Sequence, residues 1–156
     1  MKVSMTVGGE KLEYDVHEQL FFDPGSVFEE LGSQPGQVAW WYSLLTIKEQ
    51  EAEDFKTDME STISGIELEY RSNSEDLAKT YGKVTESVIS AALNLDARVL
   101  DLRKKYSTLR REVGLLKAMT RGQDTRSNLL SVSGSAQKVE LQARLRSLIA
   151  STKEES

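Results

Sequence analysis

The chain has 156 residues, 38% of them hydrophobic, with 20 Lys/Arg against 25 Asp/Glu and a net charge of -5. That length suits one domain, and the modest apolar content favours an elongated one. The absence of cysteine excludes disulfides and thiolate metal sites, and the longest uncharged apolar run, the ten residues from Val38 to Ile47, is half of the roughly 20 that cross a bilayer.

The opening "KVSMTVGGEKLEYDV" alternates Val3, Met5, Val7 and then Leu12, Tyr14, Val16 around Gly8-Gly9, the period-two pattern of a β-hairpin with a glycine turn. Its apolar residues are interrupted too early to form a signal peptide, and a soluble cytoplasmic protein is expected. In "FFDPGSVFEELG", Asp23 is read as an N-cap, Pro24 as the first helical residue and Gly32 as the stop of a short helix. "SQPG", residues 33 to 36, is the next break. Trp41, Leu45, Ala52, Phe55, Met59, Ile63, Ile66 and Tyr70 then mark a long amphipathic helix from about Pro35 to Arg71. "SNSED", residues 72 to 76, turns the chain.

A second long helix is expected from the Thr85 cap and Glu86 to about Arg121, ended by Gly122. Its seam, Val88, Ala92, Leu95, Val99, Leu102, Tyr106, Leu109, Val113 and Leu116, repeats at 4 and 3, the heptad of coiled-coil-like packing, with the leucines from Leu95 to Leu116 at d. Two such helices joined by a short turn make an antiparallel helical hairpin. Leu93, Leu100 and Leu115 lie on a flank that calls for a third helix or another subunit. The Ser-rich stretch after Gly122 reads as a polar loop, and Ser135 as the cap of a last helix bearing Leu141, Leu145 and Leu148, with "STKEES" frayed. The expected organisation is mainly α: residues 1–34 as hairpin and short helix, 35–122 as the long helical hairpin, 123–156 as loop and C-terminal helix, one domain overall.

Catalytic apparatus is missing from the sequence. His17 is the single histidine, no serine sits in a strained Gly-x-Ser-x-Gly turn, and no phosphate-binding Gly-x-x-x-x-Gly-Lys loop occurs. Glu49 and Glu53 share a helix face but fall well short of the about six oxygen ligands of a hard cation. The expectation is a non-enzyme with no cofactor and no metal.

Charge is unevenly distributed. Residues 1–78 hold 5 Lys/Arg and 17 Asp/Glu, whereas residues 79–156 hold 15 and 8. "RKKYSTLRR", residues 103 to 111, concentrates the positive charge. In the heptad frame Arg103, Arg110 and Lys117 occupy e, beside the seam and within reach of the acidic first helix. Lys104 and Arg111 occupy f, opposite the seam, and Arg98 and Lys105 occupy g. The outward residues are candidates for phosphate contacts, and equally for a solvated face. In "AWWYSLL", Trp41 falls on the apolar stripe, leaving Trp40 and Tyr42 as candidates for stacking on unpaired bases.

Residues 38–134 resemble the phage recombination mediators of the UvsY type. The resemblance is carried by the Lys83-x-Thr85-Glu86 entry, the heptad helix with central Tyr106, "VGLLKAM", the run from Arg121 through Arg126 to Leu129-Leu130, and the preceding "WWYSLL…KEQEAE" helix. It implies a homo-oligomeric protein that binds single-stranded DNA, helps displace single-strand-binding protein and loads a RecA-like recombinase in recombination, repair or replication. Family members can carry a basic motif late in the first long helix, where this chain has the acidic "MESTISGIELEYR". The expected DNA contacts are therefore Lys104, Lys105, Arg110, Arg111, Arg121 and Arg126, with Leu95, Val99, Leu102, Tyr106, Leu109, Val113 and Leu116 packing helices or subunits. Two other readings stay open: a virion scaffold or assembly protein that uses the helices for subunit docking, and an accessory subunit of a replicative helicase.

Overall fold

The computed structural model describes residues 1–73, 78 and 82–154. Among them the chain forms strands β1 (Lys2–Val7) and β2 (Glu10–Asp15) and helices α1 (Val16–Leu20), α2 (Val27–Ser72), α3 (Glu86–Leu95) and α4 (Ala97–Glu154). The expected turn at 72–76 lies largely outside the described residues. The chain divides into two compact units, Met1–Leu45 with Leu116–Ser156, and Thr46–Leu115, and antiparallel packing of α2 on α4 is found within each.

In the first unit the hairpin pairs Val7 with Glu10 and Lys2 with Asp15. Gly8 and Gly9 both have positive φ, 60° and 81°, the backbone that a two-residue hairpin turn requires and that glycine adopts without strain. Met5, Val7 and Tyr14 point inward. Tyr14 meets Trp41 edge to face with ring centroids 4.8 Å apart, fixing the hairpin on α2. Asp15 then starts α1 by accepting a hydrogen bond from the His17 N–H at 2.8 Å, an N-cap.

Residues 23–26 form a turn rather than a helix start. Asp23 accepts from the Gly25 N–H at 2.9 Å, and α2 begins at Val27 and runs unbroken through Gly32, Pro35 and Gly36. Proline disfavours a helix interior because it removes one N–H and crowds the preceding turn. Here Pro35 and Gly36 lie on the exposed side, while Val27, Gln34 and Trp41, seven apart, are buried. Tertiary packing of that seam outweighs the local break.

The expected stop at Gly122 and the loop after it are likewise helix, continuous with the C-terminal helix through Glu154, where fraying was expected. Leu116, Thr120, Gln123, Ser127, Leu130, Gly134 and Gln137 repeat at 4 and 3, and most of them are buried. Gln123 accepts two bonds from the Gln34 amide, at its carbonyl (3.2 Å) and side-chain oxygen (3.1 Å), and donates to the Gln19 carbonyl at 2.9 Å. Ser131 and Ser135 turn back onto the Ser127 and Ser131 carbonyls, so these hydroxyls are satisfied inside the helix; Ser135 is not a cap. A Cβ at Gly134 would stand 2.7 Å from Leu31 Cδ1, so absence of a side chain there lets the helices approach.

In the second unit Ile66, Ile89, Ala92, Leu93 and Val99 form the core, with Ile63, Tyr70 and Val84 packed against it. Lys48 is buried and bridges Glu112 at 2.7 Å and Glu51 at 3.0 Å. Burial opposes its charge, but the hydrogen bonds to Glu112 and Glu51 hold its pKa above the usual lysine value.

The second long helix is broken once, at Asp96. The Asp96 carboxylate accepts from the Arg98 N–H at 2.7 Å and thereby caps α4; it also takes the Tyr70 hydroxyl at 3.0 Å and the Arg98 guanidinium at 3.0 Å. The hydrogen bond from Arg98 is the largest of the influences that bring its pKa down to about 2. This is below the about 3.9 of a free aspartate, so the contribution to stability is present above about pH 4 and is lost as the pH falls toward 2. Thermal melts followed by circular dichroism should show wild type losing stability across that window relative to its value at pH 5, with Asp96→Asn losing less.

The break corrects one seam residue. Leu95 ends α3 and is 72% exposed, because Ile89, Ala92 and Leu93 are the residues α3 turns inward. Val99, Val113 and Leu116 are buried and Leu102, Tyr106 and Leu109 half-buried, so the seam from Val99 onward packs within the chain. Leu93, assigned to a flank, is core.

Candidate nucleic-acid interface

Four of the basic candidates lie in the second unit, on α4. Lys104, Lys105, Arg110 and Arg111 are all exposed. Seven residues of helix make two turns, so Lys104 and Arg111 share one line of the surface about 10 Å apart, opposite Leu102 and Leu109. Lys104, Arg110 and Arg111 make no ion pair among the described residues. Lys105 holds Asp101 at 2.8 Å, both side chains exposed. Such a surface pair contributes little and yields readily to a phosphate.

The acidic first helix is not the counterweight to this stripe that its charge suggested. Arg103 donates to Asn94 at 2.9 Å, not to α2. The cross-helix pairs of this unit lie elsewhere. Arg98 reaches Glu69 at 2.9 Å, and Lys48 of α2 reaches Glu112 of α4, the reverse of the expected polarity. Arg71 bridges Glu67 and Glu86 at 2.6 and 2.7 Å, and the hydrogen bonds from Arg71 hold the Glu86 carboxyl below its usual range.

The other candidates belong to the first unit. Arg121 is exposed on α4. Arg126 is not a phosphate contact: its side chain is 5% exposed and pairs with Glu30, while donating to the Phe21 carbonyl and Gln37 Oε1, each at 3.3 Å. The seam turns Arg126 inward, and a guanidinium so enclosed is not presented to a phosphate in solvent. Trp41 is core, 1% exposed, as its place on the stripe indicated. Trp40 and Tyr42 are both exposed. The Tyr42 hydroxyl donates to Asp124 at 2.7 Å, and that carboxylate raises its pKa; the tether fixes the orientation of the phenol ring.

Sequence reasoning missed Asp96, whose cap sets where α4 starts and hence which residues face outward. The signal was an Asp directly before "ARVL", hidden by a heptad repeat that runs on across the break. Compared with protein-family models, curated proteins and solved structures, the chain matches none. Among the described residues no helix is long and apolar enough to cross a membrane.

Proposed function

We propose that this protein is a non-catalytic mediator of recombination that holds single-stranded DNA by its phosphates along the outward face of α4, and so presents the strand to a RecA-like recombinase. The resemblance to the UvsY-type mediators motivates the reading. The observation that carries it is the face formed by Lys104, Arg110 and Arg111, three exposed cations with no ion pair among the described residues. A counterweight to the acidic helix would have met its carboxylates; those of its carboxylates in the second unit that meet a cation among the described residues use Arg98, Arg71, Lys56 and Lys48 instead.

Contacts of this kind position a strand without reading its bases. Displacement of single-strand-binding protein would follow from competition for the same phosphates, with no nucleotide hydrolysed. Charge reversal tests the assignment. The double variant Lys104→Glu, Arg111→Glu removes about two phosphate contacts and should weaken binding to an oligo-dT strand on the order of 50-fold or more at low salt. Both positions are exposed, so the helical circular dichroism should not change. Unchanged affinity in a folded double variant would refute the interface.

A further inference from the structure

The seam of α4 that packs the first unit runs out before the helix does. Leu130 and Gly134 are buried and Gln137 still reaches the Pro24 carbonyl at 2.8 Å, but every residue from 138 to 149 is exposed. Leu148, Leu141, Leu145 and Ile149 follow one another around the helix over an arc of about 100°. Each is more than half exposed. The charges of this segment border that arc. Arg144 lies about 40° beyond Leu148 and Arg146 about 60° beyond Ile149, while Lys138, one heptad before Leu145, lies on the leucine line itself. Glu140, the single carboxylate of residues 138–149, falls further round behind Arg144 and pairs with it at 2.6 Å, both side chains exposed.

We infer that this C-terminal segment of α4 docks on an anionic lipid surface, lying in the headgroup plane with Leu141, Leu145, Leu148 and Ile149 among the acyl chains and Lys138, Arg144 and Arg146 on the lipid phosphates. Two observations select this occupant. The first is sign: residues 138–149 carry three cations against one carboxylate in a chain of net charge -5, a local excess complementary to an anionic surface. The second is the position of Lys138. In the groove of a folded partner, an ammonium on the leucine line would lose its water, at a cost that only a well-placed carboxylate offsets. At a lipid boundary its four-carbon stem lies along the apolar face and the ammonium rises to the phosphates. Arg144 and Arg146, one on each border of the arc, reach up in the same way. The exposed pair with Glu140 yields Arg144 readily. A segment of about 18 Å is too short and too charged to cross the roughly 30 Å hydrocarbon core, so it lies on the surface. Four apolar side chains are a weak anchor by themselves, which makes the docking reversible and dependent on lipid charge.

This surface lies in the first unit and the basic stripe proposed for DNA in the second, and its test needs no DNA. The full chain should sediment with vesicles of three parts phosphatidylcholine to one part phosphatidylserine at millimolar lipid, and bind phosphatidylcholine alone at least about tenfold more weakly. The double variant Leu141→Ser, Leu145→Ser should weaken binding to the anionic vesicles about tenfold or more, with helical circular dichroism in solution unchanged because both side chains are exposed. Lys138→Gln should cost about fivefold on anionic vesicles and nothing on neutral ones. Because the chain has no cysteine, a polarity-sensitive dye attached to Leu145→Cys should shift to the blue on adding vesicles, whereas the same dye on Ala143→Cys, on the opposite face, should not. No sedimentation with anionic vesicles, binding that survives the leucine variant, or equal shifts at both dye positions would overturn the inference. So would loss of vesicle binding in Lys104→Glu with Arg111→Glu, which would assign the lipid contact to the other unit. An oligomer that the leucine variant dissolves and that ignores vesicles would place a second copy on the stripe and overturn it too. Loss of DNA binding with vesicle binding intact would leave this inference standing and remove the other.

Discussion

Arg126→Ala is expected to destabilise the unit formed by Met1–Leu45 and Leu116–Ser156 by about 3 kcal/mol, while leaving affinity for single-stranded DNA essentially unchanged. The Arg126 guanidinium is almost fully enclosed and gathers the Glu30 carboxylate, the Gln37 side chain and the Phe21 carbonyl. Removing it strands a partly buried carboxylate and leaves two acceptors without their donor. Breaking a buried pair in this way costs about 3–5 kcal/mol, and the partial exposure of Glu30 places the effect at the lower end. In a chain of this length that corresponds to a fall of about 6–12 °C in melting temperature. Arg126→Lys should fall between, since it keeps the charge but loses the fork that reaches three partners at once. Thermal melts and an anisotropy titration with labelled oligo-dT check both halves of the expectation. Normal stability with lost DNA binding would return Arg126 to the phosphate-contacting set.

The second large effect is expected at Trp41. Its indole is fully buried, with Tyr14 and Trp40 both meeting it edge to face at 4.8 Å. Trp41→Ala empties the space under the β-hairpin and should cost about 3–5 kcal/mol. A two-stranded hairpin is marginal by itself, so loosening should be greatest there. Burial pushes the Tyr14 phenol above its ordinary range. In the variant that phenol should ionise at lower pH, which ultraviolet titration reads directly. Trp40→Ala, at a half-exposed position, should change stability by less than about 1 kcal/mol. Equal losses at the two tryptophans would contradict the packing described for the hairpin.

Which parts of this architecture could be read in advance follows from which physical signals are local. The hairpin was legible because alternation and Gly8-Gly9 are both local requirements of a tight turn. Both long helices were legible as helices because their apolar residues keep helical spacing. Their ends were not. Gln34, Thr120 and Gln123 occupy seam positions, and a search for apolar periodicity passes over them. The burial of Gln34 and Gln123 becomes favourable only through partners as much as 104 residues away in sequence. Pro35 and Gly122 were read as breaks for the same reason, since local propensity sees a missing N–H or side chain but not the packing that overrides it. Asp96 shows the converse: a heptad repeat that continues through a cap conceals the cap.

The basic face was half legible. Heptad position identified Lys104 and Arg111 as outward, and they are exposed. Charge alone could not separate Arg121 from Arg126, five residues further on, because only the seam across the helix decides that one is exposed and the other enclosed. Nor could it show that in the second unit the acidic helix spends its carboxylates on Arg98, Arg71, Lys56 and Lys48.

The proposal that α4 holds a strand by its phosphates is tested most directly by the salt dependence of binding to an unstructured oligonucleotide. Each phosphate neutralised on a single strand contributes about -0.7 to the slope of log affinity against log salt. Contacts from Lys104, Lys105, Arg110 and Arg111 therefore give a slope of about -3, a loss of about 50-fold between 50 and 200 mM salt, and Lys104→Glu with Arg111→Glu should bring the slope to about half. No detectable binding at about 50 mM salt, or binding that does not weaken toward 200 mM, would contradict it.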